Sequence, residues 1–190
     1  IFFTYALVLS KFYGIEASHV GLYLVPFAIG NFFGPLVLGR FFDSVGRRKM
    51  IAWTYGLSGT LLALTGYLFW QGALTAVTQT FAWCVIFFFA SAGASSAYLT
   101  VSELFPLEIR ASAIGIFFVL GQGVSILGPW LFSHLIETSA RDVFFGDLIG
   151  AGGMLIGAIV ALRFGVNAEQ QPLEHIAPPL SCRAGAAKPD

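Results

Sequence analysis

Residues 20–70 read VGLYLVPFAIGNFFGPLVLG, then RFFDSVGRRK, then MIAWTYGLSGTLLALTGYLFW. A helix needs about 20 predominantly apolar residues, at about 1.5 Å each, to cross a bilayer. The first and third pieces have that length, and the polar piece between them is a turn. The pattern continues along the chain, and spans are predicted at about 1–12, 20–39, 50–70, 75–102, 110–135 and 143–164. Ile1–Ser10 supplies only about half a span, so the chain is expected to begin inside a helix. A barrel would show alternating segments of about ten residues, whereas these runs are continuous. The predicted fold is all-α: a polytopic membrane protein with a six-helix bundle over 1–166. Residues 167–190 carry four prolines and mixed charge, which predicts a flexible cytoplasmic tail.

Composition agrees. The 190 residues are 57% hydrophobic and 11% charged, with a mean hydropathy of +0.81. Soluble domains carry about 25% charged residues, so lipid is the predicted solvent. The formal net charge is zero, which offers no basic patch to nucleic acid. Cys84 and Cys182 lie in very different surroundings and give no disulfide framework. No cofactor or metal motif is present in the sequence. Arg40, Arg47, Arg48, Lys49, Arg110, Arg163, Arg183 and Lys188 fall on one side of the predicted spans, and only Lys11 and Arg141 on the other. This bias places the Arg40–Lys49 turn and the C-terminus in the cytoplasm and suits a plasma (inner) membrane.

The first turn has its own logic. Asp43 ends one helix, Gly46 lets the chain reverse, and Arg47, Arg48 and Lys49 follow. The pattern G-x-x-x-D-x-x-G-R-R-K closely resembles the signature loop of the major facilitator superfamily of transporters. Ser102–Arg110, reading SELFPLEIR, is similar to the E-L-F-P-x-x-x-R element of its sugar porter and general substrate transporter branch. The resemblance implies that the chain corresponds to helices seven to twelve, the C-terminal half, whose partner is a second six-helix half. It implies a secondary active transporter that moves a small polar solute (a sugar, organic acid or related metabolite) by alternating access, with a proton as candidate coupling ion. Asp43, Gly46, Arg47, Arg48, Glu103 and Arg110 would then form a conformational gate, with Arg47 reaching Glu103 across the two loops.

Few ionisable groups lie deep in the spans, so this half is not expected to hold the coupling group. Asp147 and His134 sit towards the outer span ends, where a surface role is expected. By resemblance to sugar porters, Asn31, 15 residues before Gly46, is a substrate-binding residue. Tyr98, five before Glu103, takes the place of a family tryptophan, and Gln122, twelve after Arg110, resembles a pocket-facing position. The three are expected to share one concave side.

Two other readings compete. One is a non-transporting six-helix membrane scaffold. The other is an intramembrane serine protease, because Gly56-Leu57-Ser58-Gly59 matches a G-x-S-G signature. Such a serine needs a histidine within hydrogen-bond reach. Ser58 lies about 12 Å from the cytoplasmic end of its helix and His134 about 36 Å from the same side, so the pair cannot meet, and no catalytic residue is assigned.

Overall fold

The computed structural model describes residues 5–166, with the backbone alone at Glu137 and Thr138. Seven helical segments follow one another: α1 (Tyr5–Tyr13), α2 (Ala17–Ser44), α3 (Arg47–Trp70), α4 (Ala76–Leu104), α5 (Leu107–Ser125), α6 (Leu127–Thr138) and α7 (Ala140–Phe164). No strand is present among the described residues. α5 and α6 form one interrupted span, so the bundle has six members. Four of them, α2, α4, α5 with α6, and α7, are long and apolar enough to cross a membrane. The predicted tail at 167–190 lies outside the described residues.

The joints are shorter than the sequence predicts. The expected Arg40–Lys49 loop is reduced to Val45 and Gly46, and the expected Glu103–Ile109 loop to Phe105 and Pro106. Polar and charged residues near a span end can continue the helix into the interface, so polarity marks the edge of lipid rather than the end of helix. Gly46 has φ +107°, which an L side chain rarely adopts, and it caps α3 there. Thr75 caps α4 through a reciprocal pair of bonds with Thr78, and the Ser139 hydroxyl accepts from the Asp142 amide to start α7.

α3 is the centre. It buries Thr54, Ser58, Gly59, Leu62, Thr65 and Gly66 among other residues, and packs on α4 and α7. Small residues make the approach possible. A Cβ at Gly59 would stand 3.1 Å from the Ala151 carbonyl of α7, and one at Gly66 would stand 3.0 Å from Asp147 Cβ. α2 meets α4 the same way: a Cβ at Gly34 would collide with the Phe88 carbonyl oxygen. α1 is held by Tyr5, whose hydroxyl donates to Thr80 Oγ1 and whose ring packs on Phe27 and Trp83. Pro26 and Pro35 lie inside an uninterrupted α2, whereas the span containing Pro129 breaks at Ile126.

The expectation of a surface role for Asp147 is corrected: the residue is only 2% exposed. Its position on α7 turns it towards Gly66 of α3, and the missing side chain of that glycine leaves room for the carboxyl.

Candidate functional site

The two motif-bearing turns meet at one end of the bundle. Arg47 is the first residue of α3, fixed by the Gly46 cap, and Glu103 stands in the last turn of α4. Arg47 Nη1 donates to Glu103 Oε2, and its Nη2 donates to Asp43 Oδ1 at 3.4 Å. The Arg47 side chain is 13% exposed, Glu103 21% and Asp43 59%. One guanidinium thus ties the ends of α2, α3 and α4 together. Its planar fork is suited to two carboxylates at once. An exposed ion pair is worth about 0–1 kcal/mol, and removing one partner of a fully buried pair costs about 3–5 kcal/mol. The half-buried geometry places this link between those limits.

The other members of the predicted gate go elsewhere. Arg48 Nη2 donates to the Leu162 carbonyl of α7, so it satisfies the last turn of that helix. Arg110 Nε donates to the Phe105 carbonyl at 3.3 Å and not to Glu103. The turn carrying Pro106 directs Arg110 back onto its own loop.

Beneath Arg47 lies a cavity of about 140 Å³, bordered by Pro35, Asp43, Ala92, Ser96 and Leu99. The Ser96 hydroxyl is buried without a hydrogen-bond partner among the described residues. Sequence reasoning missed it, because a serine in an apolar run reads first as helix packing. It also missed Gln79 and Trp83, one turn apart on α4, whose buried amide and indole nitrogen have no partner among the described residues. A glutamine inside an apolar stretch was the available signal.

Asn31, Tyr98 and Gln122 stand on three helices. Asn31 is exposed on α2 and lines a cavity of about 710 Å³ with Phe27, Phe32 and Leu36. Tyr98 is half-buried, its ring 5.2 Å from that of Phe117 and 5.4 Å from that of Phe118 on α5. Gln122, one turn beyond those phenylalanines, is exposed, and its Oε1 accepts from Ser125 at 3.2 Å. Neither Tyr98 nor Gln122 lines the cavity at Asn31. Counted from the shared end of the bundle, Asn31 and Gln122 lie at about 20 Å depth and Tyr98 at about 9 Å. The structure therefore brings Tyr98 towards α5 and leaves it and Gln122 outside the cavity at Asn31; residue counting sets Asn31 and Gln122 level.

Ser58 is a packing residue. It is fully buried, and its hydroxyl donates to the Tyr55 carbonyl and to Met154 Sδ. Among the described residues no cluster of three His, Cys, Asp or Glu side chains could hold a metal ion.

Comparison with known proteins agrees with the two turns. A protein named for metabolite transport, YaaU of Escherichia coli (strain K12), is 28% identical over 122 residues. These are 64% of this chain and 26% of that protein. The glucose facilitated diffusion protein of Zymomonas mobilis subsp. mobilis is 23% identical over 170 residues, 86% of this chain and 35% of that protein. The chain thus spans about a quarter to a third of the length of the curated relatives it matches. The model of the Major Facilitator Superfamily matches residues 1–181. With an all-α bundle that reads as half of a twelve-helix fold, and with that match over nearly its whole length, this chain belongs to the major facilitator superfamily.

Proposed function

We propose that the chain forms the C-terminal half of a secondary transporter that carries a small polar solute across a plasma membrane by alternating access. The observation that carries this reading is the Arg47 link, which joins three helix ends through the two loops bearing family-like motifs. A contact of this kind has two discrete states, made and broken, and so can bias an equilibrium between two arrangements of the bundle. It holds the ends of α2, α3 and α4 together when made and lets them separate when broken. The charge bias of the turns supports a cytoplasmic position for this gate and for the C-terminus.

Asn31 and Gln122, level with each other near mid-membrane, are the substrate-binding residues we assign, with Tyr98 nearer the gate. Amide groups in an apolar wall suit a polyhydroxylic or carboxylic solute, because a few placed polar groups fix orientation. The relatives named for glucose diffusion and metabolite transport support that class. A proton is the coupling ion to test, and the missing six-helix half is the partner that closes the site.

The test is charge exchange in the full-length protein. Arg47→Glu is expected to lower uptake at least tenfold, and adding Glu103→Arg to restore part of it, at unchanged protein level in the membrane. A double variant no better than the single one removes the proposed pairing. Asn31→Ala should lower uptake of the solute without lowering the amount of protein.

A further inference from the structure

The helix ends on either side of the turn between α2 and α3 carry four cations, and the structure divides them. Arg47 is taken by Glu103 and Asp43, and Arg48 by the Leu162 carbonyl. Arg40 and Lys49 are exposed and make no ion pair among the described residues. Lys49 lines a groove whose Phe41 wall is covered by the Arg40 guanidinium. This groove has a volume of about 460 Å³ and is lined by Leu38, Phe41 and Val45 of α2 and by Lys49, Met50 and Trp53 of α3. The Arg40 guanidinium lies 4.9 Å from the centre of the Phe41 ring, which lines the groove. Lys49 and Trp53 share a face one turn apart, so the indole lies about 6 Å deeper than the ammonium. Leu38 stands about 3 Å deeper than Arg40 along the facing helix. The groove is therefore apolar along its length and doubly positive at the end where the helices leave lipid.

We propose that this groove binds one anionic glycerophospholipid, with an acyl chain along Leu38, Met50 and Trp53 and the phosphate between Arg40 and Lys49. Charge complementarity selects this occupant. A phosphate with no neutralising amine gains from both cations, whereas a choline headgroup brings its own positive charge against them. Trp53, 52% exposed, fits a position at the boundary between headgroup and chain. The assignment to the inner leaflet rests on the orientation proposed above. The binding does not, because both leaflets of a symmetric vesicle offer the lipid.

Trp53 reports on the groove directly. The full-length protein would be placed in phosphatidylcholine vesicles with increasing fractions of bromine-labelled phosphatidylglycerol or bromine-labelled phosphatidylcholine. The Trp53 signal is the fluorescence lost in Trp53→Phe. The expected result is half-quenching at about thirtyfold lower mole fraction of the anionic lipid, as two basic residues worth about 1 kcal/mol each at a membrane surface would give. Arg40→Gln with Lys49→Gln should bring the two lipids to equal quenching, and Lys49→Arg should keep the preference. Should the double variant fail to fold, Lys49→Gln alone reads an intermediate preference. Equal quenching in the wild type overturns the proposal, whether a neutral lipid, a second copy of the chain or its own C-terminal segment fills the groove. So does a preference that survives loss of both cations. The readout involves no transport, so it stands apart from a failure of the transporter reading.

Discussion

α3 and the interrupted span α5–α6 make opposite use of their residues. α3 buries ten residues and α5 none. Yet Leu107–Ile136 is among the four stretches apolar enough to cross a membrane, and α3 is not. In water the most apolar helix would be the innermost. In lipid there is little apolar drive between helices, so the interior goes to helices with small and weakly polar faces. Thr54 shows the mechanism, since its hydroxyl donates to its own helix at Met50 and Ile51 and leaves the flanks free for close contact. Ile116, Val119, Leu120 and Val124 of α5 are open, free to face lipid or another part of a longer protein.

Glycine replacement should break this contrast most sharply. Gly59→Leu puts a side chain where its first carbon is already 3.1 Å from Ala151 and Met154 atoms. The expected cost is about 3 kcal/mol, the upper range for overpacking. Gly121 on α5 has no neighbour within 4 Å of such a carbon, so Gly121→Leu should stay within about 0.5 kcal/mol of wild type. Thermal unfolding of the full-length protein in detergent measures both. Equal damage would mean that α5 is as tightly packed as α3 in the whole protein, and the contrast would belong to this half alone.

A second replacement sharpens the same contrast from the polar side. Asp147 is buried against Gly66, in an otherwise apolar stretch of α7. Burial of an unpaired polar group costs about 1–3 kcal/mol in proteins, and a charge costs more. Asp147→Asn keeps the shape and removes the charge, so it should raise stability by about 1 kcal/mol. A fall in the melting temperature would show that the full-length protein supplies the carboxylate with a partner.

The sequence carried the helices because run length and polarity are set by the bilayer, not by tertiary detail. It carried the nearness of Arg47 to Glu103 because both sit at the same end of neighbouring spans in short turns. It could not carry the separate fates of Arg48 and Arg110. Which carbonyl an arginine reaches depends on helix rotation, and a side chain of that length covers several choices. Asp147 was misjudged for a related reason. Depth follows from counting residues, but the side of a helix that faces a neighbour follows from packing, and α7 is apolar on every side. The level pairing of Asn31 with Gln122 follows from counting, whereas their distance across the bundle does not.

The smallest expected effect concerns the break at Ile126. Pro129 has no amide hydrogen, so the carbonyl four residues back, at Ser125, has no donor within the helix. Ser125 and Gln122 then bond locally, side chain to side chain and side chain to backbone. The break divides two unlike pieces. α6 is seated on α7, where Phe132 and Leu135 press against Gly146, while α5 has no buried residue. A proline inside a soluble helix costs about 3 kcal/mol, but in a membrane local bonds satisfy much of what it frees. Pro129→Ala should therefore raise stability by less than about 1 kcal/mol, while Gly146→Leu, which unseats α6, should lower it by more. If the break lets α5 move while α6 stays on α7, Pro129→Ala will slow solute uptake at unchanged protein level. If uptake is unchanged, the break serves only to fit α6 against α7, and α5 moves with it as one rod.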